Sequence, residues 1–225
     1  MTPAASGADG MADRQFQFGA GLPVGAVRGG TNVLIEGAGV DGTGALLDRM
    51  LTSGRTPGEA AVLVSTDGSP SSSRRRFDDT ANLGLVCCGT GADESVGDGI
   101  TVSSVGSPGD LTGIGIQFSK VADAVSVGGG SVRVGLDSLS TLLMYVEDPR
   151  SVFRFVHAFT GRVAAKGALG LFVVDPGAHD ERTLSMLRGP FDGRIQVRTG
   201  DHGPELRVTG LAGQPNGWER FRLAD

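Results

Sequence analysis

The chain has 225 residues, a formal net charge of −5, two cysteines and 38 glycines. This length suits one α/β domain with a full hydrophobic core, and no stretch approaches the roughly 20 consecutive apolar residues of a membrane span. The acidic balance also argues against a broad electrostatic surface for nucleic acid. We therefore expect neither membrane insertion nor nucleic-acid binding.

The beginning of the chain does not read as a secretory signal. Residues 1–13 are small and polar, and they lack a basic stretch followed by an apolar one. We expect a disordered or loosely ordered tail over residues 1–20 and a single domain over residues 21–225. The adjacent cysteines, Cys87 and Cys88, are poorly placed to pair with each other, so we expect buried thiols in a reducing cytoplasm.

The first predicted strand leads through a glycine-rich turn into a leucine-rich helix, in the sequence TNVLIEGAGVDGTGALLDRML of residues 31–51. A phosphate-binding loop has the pattern G-x-x-x-x-G-K-[ST]. Its backbone N–H groups hold phosphate, its lysine reaches the β- and γ-phosphates, and its hydroxyl binds magnesium. Gly37 and Gly42 keep the glycine spacing, but Thr43 stands at the lysine position and Gly44 at the hydroxyl position.

These two changes weaken the expected binding of a triphosphate. A hydrogen bond to a charged group contributes about 1.5–3 kcal/mol, so losing two such contacts costs about 3–6 kcal/mol, or roughly two to four decades in affinity. One alternative is a tight turn without a ligand; the other is residual binding through backbone amides, with the Thr43 hydroxyl offered to magnesium. The vestigial nucleotide-binding loop comprises Gly37, Gly39, Asp41, Gly42, Thr43 and Gly44.

Apolar strands then alternate with helices. Residues 60–67, AAVLVSTD, read as a buried parallel strand that ends in the polar pair Thr66 and Asp67. A helix is predicted to begin at Ser69, and its charge run, residues 74–79, reads as a solvated helix face. A short strand, a Gly/Asp-rich loop over 89–99 and a helix with apolar residues at helical spacing follow.

A second polar strand end occurs within residues 131–145, SVRVGLDSLSTLLMY. An apolar strand stops at Asp137 and Ser138, and a leucine-rich helix begins. In nucleotide-hydrolysing folds an aspartate at this place holds magnesium or its water. Asp137 or Ser138 can equally cap the helix. Both interpretations stay open at this point.

The last third of the chain contains an amphipathic helix over residues 148–167 and a buried strand over 168–175. Asp175 ends that strand, where it either joins a site or caps the following turn. A short helix at 181–188 precedes alternating segments that predict an antiparallel β meander. Strands alternating with helices imply a mainly parallel sheet with helices on both faces, and ligands in such sheets lie beyond the carboxyl ends of the strands.

These segments resemble the RecA superfamily, and within it the KaiC- and RadA-like branch found widely in archaea. The resemblance rests on TNVLIEG with its glycine loop, AAVLVSTDGSP, VRVGLDSLSTLL, GLFVVD and FDGRIQVR, and it covers most of residues 22–223. It implies a RecA-like P-loop fold with Asp137 as the metal ligand. The family carries paired acidic residues where this chain has Thr66 and Asp67, so Asp67 is the remaining candidate for the water-activating acid.

The resemblance also frames the function. Because the lysine, the hydroxyl and one acid differ from the family pattern, it implies a degenerate, non-hydrolysing protein with a regulatory or protein-interaction role. Such a protein has no expected cofactor, a protein partner, and a monomeric or small homo-oligomeric state. The alternative is a weak ATP-binding protein or ATPase that uses ATP and magnesium through Asp67 and Asp137. Asp-rich, Lys-poor usage and the eroded loop also resemble haloarchaeal KaiC-like proteins.

Overall fold

The computed structural model describes residues 14–77, 80–89, 96–97, 99–126, 129–215 and 217–222. The strands are β1 Gln15–Phe16, β2 Val27–Arg28, β3 Asn32–Glu36, β4 Ala60–Ser65, β5 Leu83–Cys88, β6 Val96–Gly97, β7 Ile100–Val105, β8 Val132–Asp137, β9 Leu169–Val174, β10 Gly193–Gly200, β11 Gly203–Thr209 and β12 Glu219–Arg220. The α-helices are α1 Thr43–Thr52, α2 Pro70–Arg75, α3 Leu111–Val125, α4 Leu139–Tyr145, α5 Pro149–Ala165 and α6 Glu181–Arg188. Most of the predicted Gly/Asp-rich loop at 89–99 lies outside the described residues.

The main sheet has ten strands in the order β12-β11-β10-β3-β9-β8-β4-β5-β7-β6. The strands from β10 to β7 in this order run parallel, whereas β11, β12 and β6 pair antiparallel at the two ends. Helices α1 and α2 cover one face of the sheet, and α3, α4, α5 and α6 cover the other. This architecture confirms the predicted α/β fold, with its parallel sheet, helices on both faces and C-terminal antiparallel meander.

Helix α1 lies close to strand β8, and a glycine makes the close approach possible. A Cβ atom added at Gly135 would lie 2.8 Å from Leu51 Cδ1 and 3.2 Å from Leu47 Cδ1. Cores are packed too densely to absorb such an overlap without displacement of the helix side chains. The absence of a side chain at Gly135 therefore sets the distance between α1 and β8.

A buried ion pair fixes the C-terminal end of α1 to the same strand. Arg133 on β8 is fully buried and donates a hydrogen bond from Nε to Glu59 Oε1. Its remaining nitrogens donate to the carbonyl oxygens of Met50 at 2.6 Å, Ser53 at 2.8 Å and Gln17 at 2.7 Å. A buried charge is stable only when it is paired and hydrogen-bonded, and Arg133 meets both conditions.

The same arginine holds the N-terminal segment. Phe16 is 1% exposed, and the Arg133 guanidinium lies 5.8 Å from its ring centroid and 5.3 Å from that of Phe18. Phe16 and Phe18, within the tail predicted over residues 1–20, are therefore held against the rest of the fold. Residues 1–13 lie outside the described part of the chain. None of the helices in the described residues has the length and apolar character to span a membrane.

Replacing Arg133 with leucine tests this anchor. The variant leaves Glu59 as a buried, unpaired charge and removes the donors to three carbonyl groups, so we expect a loss of about 3–5 kcal/mol in the free energy of unfolding, measured in urea. Arg182→Leu, at an exposed position on α6, removes the same charge and should change stability by no more than about 0.5 kcal/mol. Similar losses in the two variants would contradict a structural role for the buried pair.

Candidate functional site

The carboxyl ends of β3, β4 and β8 meet at one edge of the sheet. The Thr66 hydroxyl donates to the carbonyl oxygen of Asp137 at 2.9 Å and accepts from the amide of Ser138 at 2.8 Å. The peptide bond between Asp137 and Ser138 is cis. A Cβ atom on Gly44 would lie 3.9 Å from Asp137 Oδ2. The glycine loop therefore faces the aspartate that the sequence predicted as the metal ligand.

The glycine loop closes on itself through a short 3₁₀ turn at Gly39–Asp41. The amide of Asp41 donates to the carbonyl oxygen of Ala38 at 2.9 Å, and the amide of Gly42 donates to that of Gly39 at 3.2 Å. Gly42 has φ 88°, the left-handed conformation that glycine adopts readily, and it leads directly into α1. Two amides that a phosphate cradle would direct at a ligand are thus used within the loop.

Thr43 and Asp41 both point into protein contacts. Thr43 is 2% exposed, and its hydroxyl lies 3.5 Å from the carbonyl oxygen of Ala38. Its methyl group packs under the loop, since a Cβ atom on Gly37 would lie 2.8 Å from it. Asp41 accepts a hydrogen bond of 2.6 Å from the Thr199 hydroxyl on β10. The contact of the Thr43 hydroxyl is therefore with its own loop.

A cation from the chain itself lies at the end of β8. Arg76, directly after α2, donates from Nη2 to Asp137 Oδ2 at 2.9 Å and to Asp48 Oδ1 at 2.7 Å. Its Nε donates to Asp48 Oδ2 at 2.9 Å, which completes a two-pronged contact. Asp48 lies on α1, one turn after Gly44. The guanidinium therefore joins α1, α2 and β8, and the prediction of a solvated charge run is wrong for Arg76, whose side chain is only 27% exposed.

The charges at this edge determine which groups are ionised. Burial raises the pKa of Asp48, and the hydrogen bonds and charge of Arg76 oppose that shift. Burial, followed by the charge of Asp137, raises the pKa of Asp67. Burial disfavours the charged guanidinium of Arg76, but Asp48 and Asp137 outweigh it and raise its pKa. Arg76 thus remains a permanent cation among three carboxylates.

Other residues singled out in the sequence have structural contacts. Asp175 accepts from the amide of Gly177 at 2.8 Å and so caps the turn that follows its strand. Cys87 and Cys88 are free and buried, and burial raises the pKa of both thiols, that of Cys88 to about 12. Both are protonated near neutral pH. Ser138 caps α4 by accepting from the amide of Thr141, so the capping reading holds for Ser138.

The chain matches a family model, described as a family of unknown function (DUF7504), over residues 30–197. It belongs to this family. Among solved structures it is similar to the KaiC-like protein PH0186 from Pyrococcus horikoshii, with a TM-score of 0.64, 13% identity and 92% of each chain covered. It is also similar to the flagellar accessory protein FlaH from Methanocaldococcus jannaschii, with a TM-score of 0.53, 14% identity, and 87% of this chain and 84% of that chain covered.

A search of curated proteins gave no match. At these identities the structural neighbours establish the fold of this DUF7504 member, which is RecA-like. In that fold the end of β8 is a place for magnesium and the loop before α1 is a place for phosphate. The side chains present do not match those that hold a magnesium-bound nucleotide, because Arg76 Nη2 binds Oδ2 of Asp137, Thr43 carries no charge and Gly44 carries no hydroxyl. Among the described residues no group of three or more His, Cys, Asp or Glu side chains is arranged to hold a metal ion.

Replacing Asp67 with asparagine tests the electrostatics of this edge. The pKa of Asp67 is raised above its ordinary value of 3.8, so the native state favours the protonated carboxyl group, and wild-type stability falls as the pH rises through the native pKa. Asparagine stays neutral, so the stability of Asp67→Asn relative to wild type should increase between about pH 4 and about pH 7 in denaturant unfolding experiments.

The control for this prediction is Asp180→Asn, because hydrogen bonds from Thr183 lower the pKa of Asp180. The stability that ionised Asp180 contributes is present above 3.8 and is lost as the pH falls through its native pKa. The difference between Asp180→Asn and wild type should therefore stay constant above about pH 4. A constant difference for Asp67→Asn over the same range would contradict the raised pKa.

Proposed function

We propose that this protein is a non-hydrolysing RecA/KaiC-like protein, a pseudo-ATPase that acts through contacts with other proteins in a regulatory role. The observation that carries this proposal is the bridge from Arg76 to Asp48 and Asp137. It supplies from within the chain the positive charge that a working site takes from magnesium.

Nucleotide hydrolysis on this fold depends on a metal ion that bridges the β- and γ-phosphates and neutralises developing charge. The metal ion keeps open positions for phosphate oxygens. The Arg76 guanidinium instead directs its donors at two carboxylates of the protein. A metal ion would have to displace the hydrogen bond from Arg76 Nη2 before it could bind Oδ2 of Asp137, at the cost of a charge-assisted contact.

The glycine loop supports the same proposal. The missing lysine and hydroxyl cost about 3–6 kcal/mol of triphosphate binding. In addition, the amides of Asp41 and Gly42 would have to give up their bonds within the loop to face a phosphate. With no strong nucleotide contact, a nucleotide no longer joins subunits, so we propose a monomer or small homo-oligomer with a protein partner in an archaeal cytoplasm. Nucleic acid and membranes are not proposed partners.

A weak ATP-binding protein or ATPase is the second candidate. Two observations favour it: Gly44 faces the Asp137 carboxylate, and α1 begins at Thr43 after the N-cap residue Gly42, without a side-chain cap. An uncapped helix N-terminus attracts anions through its free amides and the helix dipole. In this alternative, ATP and magnesium are the cofactors and Asp67 is the acid at the end of β4.

Calorimetry with ATP and magnesium separates the two candidates. We expect no binding by the wild-type protein at micromolar nucleotide. The triple variant Thr43→Lys, Gly44→Thr, Arg76→Ala restores the lysine and the hydroxyl and frees Asp137, so it should bind about 100-fold or more tightly than wild type. Micromolar affinity of the wild-type protein would contradict the proposal.

A matched variant isolates the contribution of Arg76. Thr43→Lys and Gly44→Thr combined with Arg75→Ala remove a neighbouring, exposed arginine and leave the bridge to Asp137 intact. We expect this control to bind ATP at least about tenfold more weakly than the triple variant that lacks Arg76. Equal affinities, with both proteins folded by circular dichroism, would show that Arg76 does not hold the place of the metal.

A further inference from the structure

A groove between α3 and α5 lies on the face of the sheet opposite the Arg76 bridge. It has a volume of about 420 Å³. Gly115 on α3 and Ala158 on α5 leave the space, since a Cβ atom on Gly115 would meet only Arg162 Nη1, at 3.6 Å. The floor of the groove is packed into the core, because the ring of Phe159 contacts that of Phe118 with ring centroids 4.4 Å apart.

The walls of the groove are apolar and partly exposed. Ile116 is 51% exposed on α3, and Leu111 and Phe155 contribute further apolar surface. Met144 and Tyr145 at the end of α4 are 72% and 59% exposed. The Tyr145 carbonyl lies 3.2 Å from the position of a Cβ on Gly109, which places this end of α4 beside the start of α3. These side chains offer apolar contacts to a partner that lies in the groove.

The groove is positively charged, whereas the protein as a whole has a negative net charge. Arg154 and Arg162 line it, and none of its lining residues within the described part of the chain is acidic, although the chain has a net charge of −5. The Arg154 side chain is 74% exposed, and its nearest carboxylate contact, with Asp148, is a long 4.0 Å. Exposed ion pairs of this length contribute little to stability. The Arg154 guanidinium can therefore form a stronger ion pair with a carboxylate of a partner.

We propose that this groove binds an acidic amphipathic helix of a partner protein. The two arginines are eight residues apart on α5, or about 12 Å along the helix axis. In an α-helix, two acidic residues seven positions apart are separated by about 10 Å along the axis, close to the separation of the two arginines. A helix in the groove can therefore pair one acidic residue with each arginine, while its apolar face covers Ile116 and Phe155. The inference rests on the proposed function, because it names the chemistry of the protein partner proposed there.

A synthetic helix provides a direct test. The probe is a fluorescein-labelled, stapled peptide of about 16 residues with leucines four positions apart and glutamates seven positions apart. We expect binding by fluorescence anisotropy with a dissociation constant in the micromolar range. A peptide with lysines in place of the glutamates, and otherwise identical, should bind roughly tenfold more weakly or not at all.

Variants of the groove assign the binding to it. Arg154→Glu with Arg162→Glu should weaken binding of the acidic peptide by roughly tenfold or more, whereas Arg182→Glu on α6 makes the same charge change outside the groove and should leave affinity unchanged. Ala158→Trp fills the groove from an exposed position and should abolish binding while the protein remains folded. Each variant is checked by circular dichroism.

Three results would overturn the proposal: equal binding of the acidic and lysine peptides, unchanged affinity in the two-arginine variant, or self-association that Ala158→Trp abolishes in analytical ultracentrifugation. The last result would identify a second copy of the chain as the occupant. ATP binding by the wild-type protein would instead refute the proposed pseudo-ATPase function and leave the peptide results standing. The experiments thus distinguish failure of the proposed helix binding from failure of the proposed pseudo-ATPase function.

Discussion

The contact between helix α1 and strand β8 is the constraint on which the rest of the structure depends. Alternate residues of a strand face the same side of the sheet, so Arg133, Gly135 and Asp137 all point toward α1. Arg133 binds the carbonyl groups at the C-terminal end of the helix, and Gly135 lets the helix approach the sheet. Asp137 lies beside the first turn, at Gly44. One strand therefore fixes both the position and the distance of the helix that follows the glycine loop.

This contact brings Asp48 on α1 and Asp137 on β8 within reach of one cation. Two partly buried carboxylates that contact the same group repel each other, and a positive charge between them offsets this repulsion. In this protein the Arg76 guanidinium supplies this positive charge. An arginine is a fixed part of the chain, so the charge does not leave the site. Under the proposed function, this edge of the sheet keeps the arrangement of its strands and helices but does not hydrolyse nucleotide.

The sequence was sufficient to predict the order of the elements, because buried parallel strands and amphipathic helices have different apolar periodicities. It also predicted that a ligand would lie beyond the carboxyl ends of the strands, because these ends share one edge of a parallel sheet. The Arg76 bridge could not be predicted. Residues 74–76 are three identical arginines, and only the place where α2 ends directs the third one inward. Its partners lie 28 and 61 residues away along the chain, and Asp48 reads as an ordinary solvent-facing residue on a helix.

The two faces of the sheet carry separate features, so the side chains of the glycine loop can differ without loss of the fold. The groove between α3 and α5 is supported by packed rings, Phe118 on Phe159 and Phe159 edge-on to Phe172, which lie in the core on the face of the sheet opposite α1. Substitutions at positions 43 and 44 change the glycine loop on one face and leave these rings on the other face in place. Selection on a binding groove would therefore retain the sheet and α5 while it placed no demand on a lysine or a hydroxyl at the opposite face.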